Sequence, residues 1–524
     1  MKKLFQNAAA DLPAAVVVFL VALPLCLGVA LGSNAPLFSG IIAGIVGGII
    51  IGLLSGSSLS VSGPAAGLTA IVAVAIGKMP VYEAFVLSVV IAGMLQVLLG
   101  FLRAGILGDY VPNSVIRGML AAIGIILILK QLPHLVGYDA NFSGDEAFLQ
   151  IDRENTFSEL LWSVNYLSPG AIFIGLISVA ILWLWDRKFF KSKKIFRYIP
   201  GPLVVVAAAI LVSEGLQRSD SRFVLAPDHL VHLPVADSFR SFTGLFTFPA
   251  WEFLGNYQVW LTGLTIALVA SLETLLSIEA IDKLDPYNRS TPTNRELKAQ
   301  GVGNLVSGLL GGLPITSVIV RSSANLNAGA RTRLSTILHG SLLLLSALFI
   351  PRLLNAIPLS ALAAILIMTG YKLAKPTLFR EFHAKGWDQF VPFVVTILAI
   401  LFTDLLIGIL VGIGVALFFL VRSNFRSAVM VVHDDNKYLM RLRKDVSFLN
   451  KPIVKKKLES VPEGSFVLID ITRSDFIDKD VIDVINEFMH HAHLKNITVE
   501  IRKSAYKTGH QRVGEPAELN GAAA

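Results

Sequence analysis

Long apolar segments recur along most of the chain, and this feature constrains its fold more than any other. About fourteen stretches, most of them roughly 17 to 23 residues long, alternate with polar loops before residue 423. A helix of about 20 apolar residues crosses the hydrocarbon core of a bilayer. The chain is therefore predicted to be an all-α polytopic membrane protein with about 14 transmembrane segments. The predicted spans are 13–32, 37–55, 63–77, 81–102, 113–134, 168–186, 199–216, 257–280, 297–312, 315–329, 334–350, 354–370, 389–403 and 405–422.

The composition agrees with a membrane protein. Of the 524 residues, 54% are hydrophobic and 16% are charged, whereas soluble proteins carry about 25% charged residues. The net charge of +8 would suit a nucleic-acid binder. However, the basic residues lie between apolar runs, as in membrane proteins whose cytoplasmic loops are basic. We therefore expect the lipid bilayer, and not nucleic acid, as a partner.

The short loops predict an orientation. The basic segments fall on one side of the predicted spans and comprise Lys2, Lys3, Arg103, 187–197, Arg331, Arg333 and 372–385. The opposite side receives the acidic loop 139–159 and the loop 217–256. Because basic loops stay in the cytoplasm, both termini are predicted to be cytoplasmic, in a bacterial inner membrane.

Two segments break the pattern of long spans. The third is short and opens with SGPAAG at 62–67, and the tenth is short and opens with GGLPITS at 311–317. They hold the third position in the first and second sets of seven spans. Such a pair predicts an inverted repeat with a binding site near the bilayer midplane. The structural alternative is a pair of kinked helices or tight loops.

The starts of these two short helices are candidate anion sites. Backbone N–H groups at a helix start, together with the helix dipole, attract anions. Two such starts facing each other would hold a small oxyanion, and Thr316 and Ser317 would add hydroxyl donors. Arg321 lies four residues after Ser317, deep in the tenth span, where its charge would attract an anion. The alternative is a purely structural arginine, with Glu273 as its candidate counter-charge.

Glu273 is the clearest ionisable residue inside a span. It lies two-thirds of the way along the eighth segment, and Ser277 follows one turn later on the same helix face. This pair would bind a hard cation such as Na⁺, or the carboxyl would take a proton. The alternative is a carboxylate bonded to nearby backbone. His134 and His339 lie near span ends, where helix capping or an interface is expected, and no enzyme motif is present.

The composition changes after residue 426. Strand-like runs at 437–443, 466–471 and 497–502 alternate with helix-like runs at 450–460 and 479–493. The predicted domains are therefore a transmembrane domain, 1–426, a small cytoplasmic α/β domain, 437–502, and a disordered tail, 503–524.

One run carries a resemblance to a known family. LPITSVIVRSSAN at 313–325, followed by AGART at 328–332, resembles the tenth-helix signature of the SulP anion transporters. ALPL at 22–25 and SGP at 62–64 are similar to family positions too, and the C-terminal module resembles the STAS domain. Lys479 lies near the place where related STAS proteins carry a phosphorylated serine, so no phosphoswitch is expected there. This short module is expected to be a truncated form that serves chiefly in dimerisation or in expression of the fold.

The resemblance implies a seven-plus-seven inverted fold, with a core and a gate domain, that works as an elevator in a homodimer. It implies a substrate held between the third and tenth helices, around Ala65, Ala66, Thr316, Ser317 and Val318. In sodium-coupled bicarbonate members an acidic residue of the eighth helix ligates Na⁺. Glu273 matches it, with Glu in place of Asp, which leaves Na⁺ and H⁺ coupling both open.

The sequence thus predicts a secondary active transporter of a small inorganic anion, coupled to Na⁺ or H⁺. Bicarbonate is favoured over sulfate because the site offers backbone dipoles, hydroxyls and one arginine rather than several cations. The alternatives are a symporter of sulfate, another oxyanion or a halide, and an uncoupled anion exchanger or channel. A third interpretation makes the membrane part a tether or sensor for the STAS-like module.

Overall fold

The structure is a computed structural model. It describes residues 6–139, 148, 155–187, 199–218, 223–232, 243–427, 429–442, 445–504, 506 and 513. Lys2, Lys3, most of the basic run 187–197, and most of the acidic loop 139–159 lie outside the described residues. The same is true of most of the tail 503–524.

Every predicted span contains a helix, and the helices are numbered α1 to α14 accordingly. Their bounds are α1 Ala8–Gly32, α2 Leu37–Leu54, α3 Ala66–Lys78, α4 Tyr82–Phe101, α5 Asn113–Val136, α6 Pro169–Trp185, α7 Gly201–Arg218, α8 Tyr257–Leu284, α9 Thr293–Leu309, α10 Ile319–Asn327, α11 Leu334–Phe349, α12 Leu359–Leu373, α13 Trp387–Phe402 and α14 Leu405–Ser427. The polytopic all-α fold class is confirmed.

Not every helix is long enough to cross a bilayer by itself. In the described part of the chain, eight helices are long and apolar enough to do so. A ninth arises if Thr156–Tyr166 and Pro169–Trp185, which are bent by 116° to each other, form one span. The remaining helices are short or polar, and α3 and α10 are among them.

The two short helices differ from their predicted bounds because an extended strand precedes each. β1 Ser62–Pro64 precedes α3, and β2 Ile315–Ser317 precedes α10. Pro64 and Pro314 favour this extended backbone, because proline fixes φ and disfavours helical geometry in the residue before it.

The helices pack in two groups. The first group comprises α1–α4 and α8–α11, in which α4 packs on α8 and α9, and α1 on α10 and α11. The second comprises α5–α7 and α12–α14, in which α5 packs on α12 and α13. Each group takes helices from corresponding positions of the two sets of seven, as an inverted repeat requires. The first group will be called the core group and the second the gate group.

Glycine pairs allow close helix contacts in both groups. In the core group, a Cβ on Gly301 of α9 would lie 2.7 Å from the carbonyl oxygen of Gly93 in α4. In the gate group, a Cβ on Gly124 of α5 would lie 2.6 Å from the carbonyl oxygen of Gly370 in α12. Small residues of this kind let membrane helices approach and pack tightly.

The chain forms two compact units, residues 1–413 and 414–524, so the boundary between them falls within α14. The second unit contains a four-stranded sheet in the order β3-β4-β5-β6, with β3 antiparallel to β4 and the other pairs parallel. Its elements are β3 Val429–Asp434, β4 Lys437–Leu442, α15 Lys451–Glu459, β5 Phe466–Asp470, α16 Lys479–Ala492 and β6 Thr498–Arg502. Residues such as Val467, Val454 and Ile485 form its core.

The predicted elements of this unit agree with the structure to within two residues at each end. The sequence missed β3, which directly follows the last helix and ends in a polar, exposed stretch. The small sheet is consistent with a STAS-like domain.

Candidate functional site

The two interrupted segments meet in a short antiparallel ribbon. β1 pairs with β2 so that Gly63 lies opposite Thr316 and Pro64 opposite Ile315. α3 and α10 follow the two strands, and neither helix start has a side-chain cap. The first N–H groups of both helices are therefore left for an acceptor from outside the helix. The ribbon brings together two helix starts from the two halves of the membrane region.

The five residues predicted to surround the anion lie at this ribbon. Ala65 follows β1 and Ala66 opens α3, while Thr316 and Ser317 belong to β2 and Val318 precedes α10. Ala65, Thr316 and Ser317 are buried, whereas Ala66 and Val318 are half-buried. The structure therefore brings all five residues together. One half-buried residue follows each strand, Ala66 after β1 and Val318 after β2.

The hydroxyl groups of β2 differ in how firmly they are held. Ser317 Oγ and Ser60 Oγ lie 2.5 Å apart, and the Ser317 N–H donates to Thr274 Oγ1 at 3.3 Å. Within the described part of the chain, Thr316 Oγ1 makes only a long bond of 3.4 Å, to the carbonyl oxygen of Ser317. Because a bond of that length is weak, Thr316 is the hydroxyl better able to turn towards a ligand.

Arg321 lies behind β1. Its side chain is fully buried, and its Nη2 donates to the carbonyl oxygen of Pro64 at 3.4 Å. The guanidinium lies against Gly63, where an added Cβ would overlap Nη1. Nε and Nη1 have no hydrogen-bond partner among the described residues. A buried guanidinium with two unused donors supplies a positive field next to the ribbon of β1 and β2.

Glu273 lies against Gly67, four residues after Gly63. It is 6% exposed in α8, and a Cβ on Gly67 would overlap its Oε1. Ser277, one turn further along α8, is also buried. Carboxylate and hydroxyl oxygens are the donors that hard cations prefer, so Glu273 and Ser277 fit a Na⁺ ion, and Glu273 alone fits a proton. Arg321 and Glu273 thus contact two glycines only four residues apart.

The sequence missed the residues of α9 that hold the ribbon in place. Asn304 accepts from the Ile315 N–H at 2.6 Å and donates to the Ile315 carbonyl oxygen at 2.9 Å. Gln300 Nε2 donates to Ser62 Oγ at 2.7 Å. A signal for this role was present in the sequence: the amide side chains of Gln300 and Asn304 lie one helical turn apart in a segment predicted to span the membrane.

A cavity of about 950 Å³ lies between the two helix groups. Its walls include Pro13 of α1 and Ala324 of α10 from the core group, and Met368 of α12 from the gate group. Lys372 also lines it and forms an ion pair of 3.6 Å with Asp186. Arg331 and Lys372 place the cavity on the side predicted to be cytoplasmic.

Another charged cluster lies at the opposite, acidic side of the gate group. Asp139 accepts from His134 Nδ1 and from His229 Nδ1, each at 2.6 Å. Burial raises the pKa of Asp139, but the bonds from the two histidines lower it more, so the net direction is down. The bond to Asp139 raises the pKa of His229 despite partial burial. His134 therefore binds the loop beyond α5 and does not cap the helix.

His339 also differs from expectation. It lies inside α11, it is fully buried, and neither ring nitrogen has a hydrogen-bond partner among the described residues. A capping role is therefore wrong, because His339 lies inside α11, and the interface role stays a prediction.

Comparison with known proteins adds independent information. Residues 9–398 match the model of the sulfate permease family. The chain is 27% identical to a putative sulfate transporter, YvdB, of Bacillus subtilis, over 83% of this chain and 78% of that relative. It is 25% identical to the bicarbonate transporter BicA of Picosynechococcus, over 79% of this chain and 70% of that relative.

A solved structure is similar over most of the length. SLC26A9 matches with a TM-score of 0.63 at 17% identity, covering 94% of this chain and 84% of that chain. At 17% identity, the similarity to SLC26A9 shows a shared fold and nothing more.

Proposed function

The chain belongs to the sulfate permease family, a family of membrane anion transporters, and we propose that it takes up bicarbonate. Transport is secondary active, driven by Na⁺ or H⁺. The core group carries the ion past the gate group in an elevator-type motion. The functional unit is a homodimer in a bacterial inner membrane, with both termini in the cytoplasm.

The observation that carries this proposal is the ribbon of β1 and β2, with Arg321 directly behind it. Two uncapped helix starts and one buried guanidinium create a positive potential without several ligating cations. This suits a small, singly charged oxyanion. The anion can approach the backbone closely at Ala65, Ala66 and Val318. Thr316 provides a hydroxyl donor.

Sulfate is the second candidate substrate, because a sulfate transporter is among the similar proteins. Sulfate carries two negative charges, whereas Arg321 carries one positive charge. The second negative charge of sulfate would lie unpaired in a low-dielectric site, where an unpaired charge is costly. The single arginine therefore favours bicarbonate.

Coupling is assigned to Glu273 and Ser277. A cation or a proton bound at Glu273 would remove the negative charge beside the anion-binding segment, and like charges disfavour each other at short range. Loading the cation site would therefore favour anion binding, which is the linkage that a symporter needs.

The test is uptake by the purified, reconstituted protein. Proteoliposomes are given labelled bicarbonate or labelled sulfate, with an imposed Na⁺ gradient, an imposed H⁺ gradient or neither. We expect gradient-driven bicarbonate uptake to exceed sulfate uptake by about tenfold or more, which corresponds to about 1.4 kcal/mol of discrimination. Sulfate uptake without bicarbonate uptake would refute the choice of substrate.

A Glu273→Gln variant separates symport from exchange. A symporter loses gradient-driven uptake in this variant, whereas an uncoupled exchanger retains counterflow of labelled against unlabelled anion at the wild-type rate. Ser341→Ala is the matched control, because its half-buried hydroxyl bonds only its own helix, to Ile337 O at 2.9 Å.

A further inference from the structure

A short helix of the gate group has its polar side chains inside and its apolar side chains outside. It covers Thr156–Tyr166, directly before α6, and will be called the outer helix. Its side chains Thr156, Glu159 and Ser163 are buried. Large apolar side chains cover its outward face and comprise Phe157, Leu161, Trp162, Val164 and Tyr166. Because a surface helix in water shows the reverse pattern, the outer helix faces an apolar medium.

A buried ion pair holds the polar face against α5. Glu159 Oε2 lies 3.4 Å from Lys130 Nζ, and the two side chains are 2% and 5% exposed. Lys130 lies six residues before Val136, the last residue of α5, which is about 9 Å along the helix axis. The outer helix therefore packs beside the last turns of α5 and not beyond its end.

Ring contacts fix both ends of the outer helix on the gate group. The ring centroid of Phe157 lies 6.3 Å from that of Phe402, the last residue of α13. The ring centroid of Tyr166 lies 5.6 Å from that of Tyr138, just after α5. The outer helix is also bent by 116° to α6. Since α6 crosses the membrane, the outer helix runs nearly parallel to the membrane plane.

We propose that the outer helix lies in the membrane interface of the leaflet opposite the basic loops, with its apolar face bound to phospholipids. Trp162 and Tyr166 are residue types that membrane interfaces favour, because their apolar rings carry a polar group that stays near the headgroups. The apolar surface continues onto α6, where Leu176 is exposed. Of the exposed side chains in 156–166, a range that the structure describes throughout, only Asn165 lacks an apolar body.

This placement decides between the interpretations of the bent pair of helices. The outer helix and α6 are then one interfacial helix and one span, and not a single broken span or a re-entrant loop. An interfacial helix buries its apolar face about 5–10 Å into the boundary between headgroups and acyl chains. The outer helix thus anchors the gate group to one leaflet, whichever anion the protein transports.

The depth of spin labels tests the placement. Leu161→Cys and Val164→Cys, each combined with Cys26→Ala, are labelled with a nitroxide and reconstituted into phospholipid vesicles. Depth follows from the ratio of the collision rates with oxygen, which concentrates in the bilayer, and with a water-soluble nickel chelate. Both labels should lie about 5–10 Å inside the bilayer surface.

Two further sites calibrate the depth. Asp228→Cys is exposed beside His229, on the same side of the gate group, and its label should lie in water. Leu176→Cys is midway along α6, and its label should lie about 15 Å deep, near the bilayer centre. The proposal is overturned if the labels at 161 and 164 behave like either of these two labels. It is also overturned if spin–spin broadening shows that they face a second copy of the chain.

A second measurement uses the wild-type chain, in case the labelled variants do not fold. A phospholipid with a photoreactive diazirine in its headgroup region is mixed into the vesicles and irradiated, and the adducts are located by mass spectrometry. Adducts within 157–167 support the proposal. The absence of adducts from this range overturns it.

Discussion

At the scale of single residues, the site depends on glycines that let charged side chains approach the backbone. Gly63 admits the Arg321 guanidinium and Gly67 admits the Glu273 carboxylate. The two charges therefore border the same five residues of β1 and α3 from different helices. Any side chain at either glycine would displace a charge from the place where an anion or cation is expected to bind.

Gly63→Ala should reduce anion uptake by at least about tenfold. The added Cβ overlaps Arg321 Nη1, and forcing an extra methyl into a packed interior costs about 1–3 kcal/mol. The guanidinium must then move away from the ribbon. Initial rates of labelled bicarbonate uptake in proteoliposomes measure the effect.

Gly77→Ala is the matched control, because it lies on α3 and an added Cβ there meets no atom of the described chain within 4 Å. It should transport at the wild-type rate. Equal rates for the two variants would show that contact between Arg321 and Gly63 is not needed.

Much of the residue-level site was predictable from the sequence. Arg321, Glu273 and the residues of the ribbon stand out because polar and Gly-Pro elements are costly within apolar spans. The role of Asn304 was not predictable. Its importance arises from two bonds to Ile315, which lies more than ten positions away, and no local pattern encodes these contacts.

At the scale of elements, the two short strands replace the first turns of two helices, and α9 holds them there. Asn304 satisfies both backbone groups of Ile315, since strands of three residues cannot satisfy all of their groups in the ribbon. The sequence predicted short helices at these places but not the strands, because three extended residues give too brief a pattern. The position of the proposed anion site therefore depends on α9 as much as on α3 and α10.

Asn304→Ala should destabilise the protein and weaken transport. It leaves a buried N–H and a buried carbonyl of Ile315 without their partner, at about 1–3 kcal/mol for each group. The thermal midpoint of the detergent-purified protein measures the loss. Asn327→Ala, at an exposed position on α10, should leave the midpoint nearly unchanged, and an equal effect of both variants would contradict the role of Asn304.

The cluster of Asp139 and His229 should make local stability depend on pH. The pKa of His229 is raised above 6.5, so its contribution is present at low pH and is lost as pH rises through the raised pKa. The pKa of Asp139 is lowered below 3.8, so its contribution is present above 3.8 and is lost as pH falls through the lowered pKa. The cluster is therefore strongest between about pH 4 and the raised pKa of His229.

His229→Gln should accordingly lower the thermal midpoint at pH 5.5 and have a smaller effect at pH 9. His383→Gln, an exposed histidine on the other side of the gate group, serves as the control at both values. A difference between wild type and His229→Gln that grows towards pH 9 would refute this assignment of charges.

At the scale of the whole molecule, two helix groups divide the membrane region, and a cavity of about 950 Å³ separates parts of them. The places of the fourteen helices along the chain followed from hydropathy. The grouping did not, because it depends on which faces of similar apolar helices meet. Movement of one group past the other would carry the ribbon with its bound anion across the membrane.

Cross-linking tests this movement. Arg117 in α5 of the gate group donates to the Lys283 carbonyl oxygen in α8 of the core group at 3.0 Å. Cysteines at 117 and 283, joined by a short bifunctional reagent, should stop uptake until the link is cleaved. Cysteines at 186 and 372, which join two gate-group helices at an existing ion pair, should leave uptake intact. Transport through the first cross-link would contradict motion between the groups.

The central claim is that the anion occupies the ribbon between α3 and α10. The most direct measurement is the rate at which a thiol reagent modifies an Ala66→Cys, Cys26→Ala variant, with and without bicarbonate. Ala66 is half-buried at the start of α3, so a bound anion would cover it. At ten times the dissociation constant, the modification rate should fall about elevenfold, in proportion to the unoccupied fraction. A rate that does not change with bicarbonate, in a variant that still transports it, would contradict the claim.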